Sequence, residues 1–156
     1  MSTPRGYGIR LLCLTTVAAV SFGCRTKSAE DIVRERVLTM ARAAEDRKLG
    51  TLMEGVSSRF HAADGLSRDE LKGLLAAQLF AGRWLRVYPM KLEVRQTSPT
   101  QVEVAGTFIL GRSRAVAVTD LLRDTSAQSE RVDATFEREP DGEWRAVSAA
   151  HAPSSL

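Results

Sequence analysis

The sequence is poor in the residues that carry most recognisable chemistry. It has two cysteines, two histidines and 6% aromatic residues. His61 and His151 lie ninety residues apart, with no carboxylate pattern around either. That spacing matches no metal-ligand motif, so no metal and no cofactor are expected. Glycine-rich phosphate loops are missing, and Ser57-Ser58 and Ser154-Ser155 lack the glycine frame of a nucleophile elbow. No run of more than two consecutive basic residues appears. The net charge of +3 owes two units to Arg5 and Arg10; without them 20 basic side chains face 19 acidic ones. A nucleic-acid partner, which needs a basic patch against phosphates, is therefore not expected. Arg83, Arg86, Arg95, Arg112 and Arg114 are interspersed with Glu93 and Glu103, as on a solvated sheet surface. No apolar run is long enough to span a bilayer.

What is present begins at the start. Residues 1–10 carry Arg5 and Arg10 and no acid, and residues 11–23 form an uncharged, mostly apolar stretch of thirteen. As a helix it would measure about 20 Å, short of a hydrocarbon core of roughly 30 Å. That length fits the apolar region of an export signal. Ser21-Phe22-Gly23-Cys24 resembles a bacterial lipobox. Gly23 and Cys24 match the family pattern, while Ser21 and Phe22 depart from its usual aliphatic and small residues. The resemblance implies lipidation of Cys24 and cleavage between Gly23 and Cys24. Secretory cleavage without lipid and a buried N-terminal helix are the other readings of this stretch. Once residues 1–23 are removed, Cys24 is the last cysteine, so no intramolecular disulfide competes for it. Arg25 stands where an Asp would resemble an inner-membrane retention signal. The expected address is the cell envelope, at the periplasmic face of the outer membrane, with the membrane as partner through the lipid.

The expected organisation is a signal over 1–23, a tether over 24–28, one domain over 29–152 and a tail over 153–156. Ser28 with Asp31 opens a helix whose apolar face is Val33, Val37, Met40, Ala41 and Ala44, reaching about Lys48. A second helix is expected from Thr51 to about Ser58, with Leu52, Met53, Val56 and Phe60 as its apolar side. His61 to Leu66 reads as a loop. Ser67-Arg-Asp-Glu70 is a full capping box, opening a third helix to about Phe80 with a leucine stripe. The period then changes to two. Leu85 and Val87 alternate inward, then Met90, Leu92 and Val94, so the phase slips at Pro89 and predicts a bend. Further strands are expected over 102–110, at Val116 and Val118, over 132–136 and from Trp144 to Ala149, with a turn at Glu139-Pro-Asp-Gly142.

Helices followed by about five strands predict an α+β fold: three N-terminal helices packed in a strongly curved antiparallel sheet. This order, with the texture of AEDIVRERVLTMARAAEDRKLGTLMEGVSSRF, resembles the NTF2-like superfamily, which includes ketosteroid isomerases, dehydratases and polyketide cyclases. The resemblance implies a cone whose enzymes hold an acid/base residue inside, and whose members often pair through the open sheet face. It thus implies a homodimer as one option and a small apolar ligand as another. Candidate pocket or acid/base residues are His61, Asp64, Trp84, Tyr88 and Asp120. None lies in a motif that carries a catalytic role across. The first reading of His61 is a helix-end histidine, of Tyr88 a surface residue and of Asp120 a turn residue, each ahead of a catalytic role; His151 falls in an expected fraying tail. The resulting expectation is an exported lipoprotein whose domain binds a small apolar ligand or an envelope partner protein. An isomerase- or dehydratase-type enzyme and a structural envelope component are the alternatives.

Overall fold

The computed structural model describes residues 27–81, 86–111 and 127–154. The expected export signal over 1–23, Cys24, Trp84, Asp120 and the strand expected at Val116 and Val118 lie outside the described residues. Within them, α1 runs Ala29–Glu45, α2 Leu49–Glu54, β1 Val56–Ala62 and α3 Arg68–Phe80. β2 runs Arg86–Ser98, β3 Gln101–Gly111, β4 Gln128–Arg138 and β5 Trp144–Pro153. The five described strands form one sheet in the order β1-β5-β4-β3-β2. The α+β class holds, with the helices packed on the concave face of a curled sheet.

Both expected caps form. The Ser28 side chain accepts from the Asp31 N–H at 3.1 Å and starts α1. Ser67 and Glu70 form the reciprocal capping box that starts α3. The second helix is shorter than expected: it stops at Glu54 with Gly55 as C-cap, and Val56 to Ser58 belong to β1. Val56 and Phe60 are four apart, a spacing that suits one face of a helix and one face of a strand alike. β1 pairs β5 in parallel, the exception in a sheet whose other three pairings are antiparallel. Its register jumps between Val56 and His61, which erased the clean alternation a strand normally shows.

The slip at Pro89 is a bulge. The register passes from Pro89 opposite Phe108 to Lys91 opposite Thr107, leaving Met90 as the extra residue. Val87 before it and Leu92 after it therefore both pack against the core. Gly106 makes room on the neighbouring strand, where a Cβ would stand 2.7 Å from the Phe108 ring. A second bulge falls in β5: Thr135 opposes Ser148 and Phe136 opposes Ala146, so Val147 is extra. It returns Ala149 and His151 to the face of Ala146. The β4–β5 turn closes as expected, with Gly142 at φ +86°.

The outer edge of β2 is covered by α1 side chains. Val87 N–H donates to Glu45 Oε1 at 2.9 Å, and Gln96 N–H donates to Glu30 Oε1 at 2.9 Å. Between them Arg34 donates to the Leu92 carbonyl at 2.9 Å. Backbone groups of an edge strand that would otherwise invite another chain are thus satisfied within the molecule.

Candidate functional site

The site follows from how side-chain size varies along the strands. One half of the concave face joins the start of β3, the end of β4 and the start of β5. There Val102, Phe136 and Trp144 meet Val33 of α1, and all four are buried. The other half joins the end of β3, the start of β4 and the end of β5. There the wall carries Phe108, Leu110 and Val132, and alanines at Ala134 and Ala149 of the sheet and Ala41 and Ala44 of α1. Methyl groups at the alanine positions cannot reach across the cone. A cavity of about 600 Å³ remains, bounded by α3 through Leu71, Leu74 and Leu75. Leu74 is 48% exposed while lining it, so the cavity opens beside α3.

The polar groups of the wall are few. Among the described residues they are Asp64, Gln78, Glu130 and His151. Asp64 Oδ1 accepts from the Leu66 N–H at 3.2 Å, which ties this carboxylate to the turn before α3. Glu130 and His151 are diagonal neighbours across β4 and β5, since His151 opposes Val132 and Glu130 opposes Pro153. His151 Nδ1 stands 3.8 Å from Glu130 Oε2, beyond hydrogen-bond reach. The histidine side chain is 71% exposed and the glutamate 25%. Glu130 Oε2 is itself sealed from solvent and has no hydrogen-bond partner.

The five candidates separate. Asp64 reaches the cavity. His61 does not: Ala62 lines the wall, and its neighbour His61 is exposed on the strand, not at a helix end or in a loop. Tyr88 is exposed, on the opposite side of β2 from the cavity-lining Val87. Trp84 and Asp120 lie outside the described residues. His151, expected in a fraying tail, sits inside β5, whose pairing with β4 continues to Pro153. Glu130 had a readable signal: Val132, Ala134 and Phe136 alternate, and two places earlier on that face is Glu130.

A second polar cluster lies away from the cavity. Ser57 Oγ donates to Glu139 Oε1 at 2.6 Å, and Arg145 pairs with both Glu139 and Asp141. The Ser57 hydroxyl, then the Arg145 guanidinium, hold the Glu139 carboxyl below the usual carboxylate range. Asp141, held chiefly by Arg145, is likewise lowered, and Arg145 is raised in turn. Ser57 is fully buried, so no substrate reaches its hydroxyl. The cluster fastens the β4–β5 turn to β1. Among the described residues, no group of three or more His, Cys, Asp or Glu side chains stands close enough to hold a metal ion. No described helix is long and apolar enough to cross a membrane.

No protein-family model matches the sequence. No curated protein matches it either. Solved structures do match in fold. An NTF2-like protein of unknown function from Pseudomonas putida superposes with a TM-score of 0.65 at 11% identity, over 80% of this chain and 85% of that one. A ketosteroid isomerase-like protein from Erwinia carotovora gives 0.60 at 10% identity, over 84% of this chain and 100% of that one. A hexachlorocyclohexane dehydrochlorinase from Novosphingobium barchaimii gives 0.58 at 14% identity, over 80% of this chain and 85% of that one. The chain therefore has the NTF2-like fold, which proteins of unknown function share with enzymes.

Proposed function

We propose that this chain is an exported lipoprotein, anchored through Cys24 in the cell envelope at the periplasmic face of the outer membrane, whose cone binds a small apolar ligand without transforming it. The observation that carries the binding reading is the apolar cavity of about 600 Å³ between α1, α3 and the sheet. Its size falls within the roughly 300–1,000 Å³ typical of ligand pockets, and its wall is apolar with a few polar groups. The non-catalytic reading is supported by where the ionisable groups stand. An acid or base tuned for proton transfer needs an environment that perturbs it and a geometry that holds it. Here the histidine is mostly solvated, and one carboxylate is engaged by a turn.

The test of binding is uptake of N-phenylnaphthylamine, an uncharged fluorophore that brightens in apolar surroundings. The full chain carrying Cys24→Ser is expected to take up one equivalent, and native mass spectrometry is expected to find one ligand per chain. Absence of uptake at saturating fluorophore would remove the binding reading. The anchor is tested separately: intact-mass analysis of the membrane fraction is expected to show an acylated Cys24, and an unmodified thiol there contradicts the anchor.

One observation favours a second reading. The cone is open and carries Glu130 and His151 side by side at its mouth, an arrangement able to relay a proton once a ligand brings them together. Under that reading the protein is an isomerase- or dehydratase-type enzyme. Chemical change of the ligand that co-purifies with the chain, lost in both Glu130→Gln and His151→Ala, would favour it over binding alone.

A further inference from the structure

We infer that the ligand of the cone is an amphiphile with one apolar chain and a protonated amine head, which docks on Glu130. This inference rests on the binding reading above and adds the chemistry of the head group. Three observations carry it. First, the Glu130 side chain lines the cavity with a quarter of its surface exposed, and its Oε2 has no hydrogen-bond partner. A buried acceptor left unmet is costly, and the cost is greater for a charged one. Second, the neighbours do not supply the missing donor. His151 Nδ1 is 3.8 Å away, and Asp64 and Gln78 do not bond to it. Third, among the described residues that line the cavity there is no Lys or Arg; the ionisable groups are Asp64, Glu130 and His151. The mouth is thus two carboxylates beside one largely solvated imidazole. A carboxylate-headed ligand would meet like charge there and find no Lys or Arg among the described lining residues, whereas an ammonium supplies both the missing donor and the opposite charge. Charge-assisted hydrogen bonds are about twice as strong as neutral ones, which sets the amine above a hydroxyl. The apolar chain would lie along Ala134 and Ala149, against Leu71 and Leu75 of α3.

The experiment is displacement of N-phenylnaphthylamine from the Cys24→Ser chain by dodecylamine, dodecanol and laurate, each below its aggregation threshold. Dodecylamine is expected to displace at a concentration about tenfold or more below laurate, with dodecanol between them. Glu130→Gln, checked for folding by circular dichroism, is expected to remove the advantage of dodecylamine over dodecanol while leaving dodecanol unchanged. If laurate displaces as well as dodecylamine, or if the amine keeps its advantage in Glu130→Gln, the head-group inference is overturned and the apolar cavity stands. If the fluorophore binds to the chain but none of the three displaces it, the amphiphile is overturned while a compact apolar ligand survives. If the fluorophore itself does not bind, both readings fall together. The wild-type order of the three ligands decides the matter even where Glu130→Gln does not fold.

Discussion

The two halves of the cone are built from the same elements and differ in side-chain volume. At the end where β3 begins and β4 finishes, Val33, Val102, Phe136 and Trp144 fill the space between helix and sheet. At the other end Ala41, Ala44, Ala134 and Ala149 stand among larger residues such as Phe108 and Val132, and the space between helix and sheet stays open. Stability and binding should therefore map to different ends of one domain.

The largest expected effect is at the filled end. Trp144→Ala should cost about 3–5 kcal/mol in urea unfolding, because this ring is 4% exposed and leaves a cavity its neighbours cannot close. Leu74→Ala, at the open end, should cost no more than about 1 kcal/mol, since that side chain is half solvated already. Equal losses at the two sites would erase the distinction between the halves.

Enlarging an alanine sharpens it further. Ala43 is 3% exposed and belongs to the packed core, so Ala43→Phe should destabilise by about 1–3 kcal/mol or more. Ala149→Phe projects into open space and should cost less than about 1 kcal/mol. It should nevertheless block fluorophore uptake, which is the readout a purely structural role would leave unchanged.

A pH titration addresses the clamp that joins the β4–β5 turn to β1. Glu139 is held below the ordinary carboxylate range by Ser57 and Arg145. Its folded-state pKa is depressed, so its stabilisation is present above the unfolded value of about 4.3 and is lost as pH falls through the folded value. Ser57→Ala should cost about 1–2 kcal/mol at neutral pH and flatten the acid limb of the stability curve. Unchanged acid sensitivity would show that Ser57 does not set it. The smallest effect is at the α3 cap, where Ser67→Ala should cost about 1 kcal/mol and should lower ligand affinity slightly by loosening the cavity wall.

The first and third helices were legible because their start signals are local: Ser28 with Asp31, and Ser67 with Glu70, each act within one turn. The Pro89 bend was legible because the alternation visibly changes phase there. β1 was not, because Val56 and Phe60 satisfy both periods and a long register irregularity hides the strand. Pairing with β5 decides it, and pairing is non-local. The end of β5 was hidden by the Val147 bulge, which reverses the facing of every residue after it. That reversal brings His151 to the mouth of the cone. Asp64 was legible as a loop carboxylate. Glu130 was not singled out, since a lone acid beside an arginine on a strand looks like solvated surface until the curvature of the sheet encloses it.

The most direct measurement is fluorophore uptake by the Cys24→Ser chain compared with the same chain carrying Ala149→Phe. The account predicts one saturable site in the first and none in the second, with both chains unfolding at similar urea concentrations. Equal uptake by both, or no uptake by either, would contradict it.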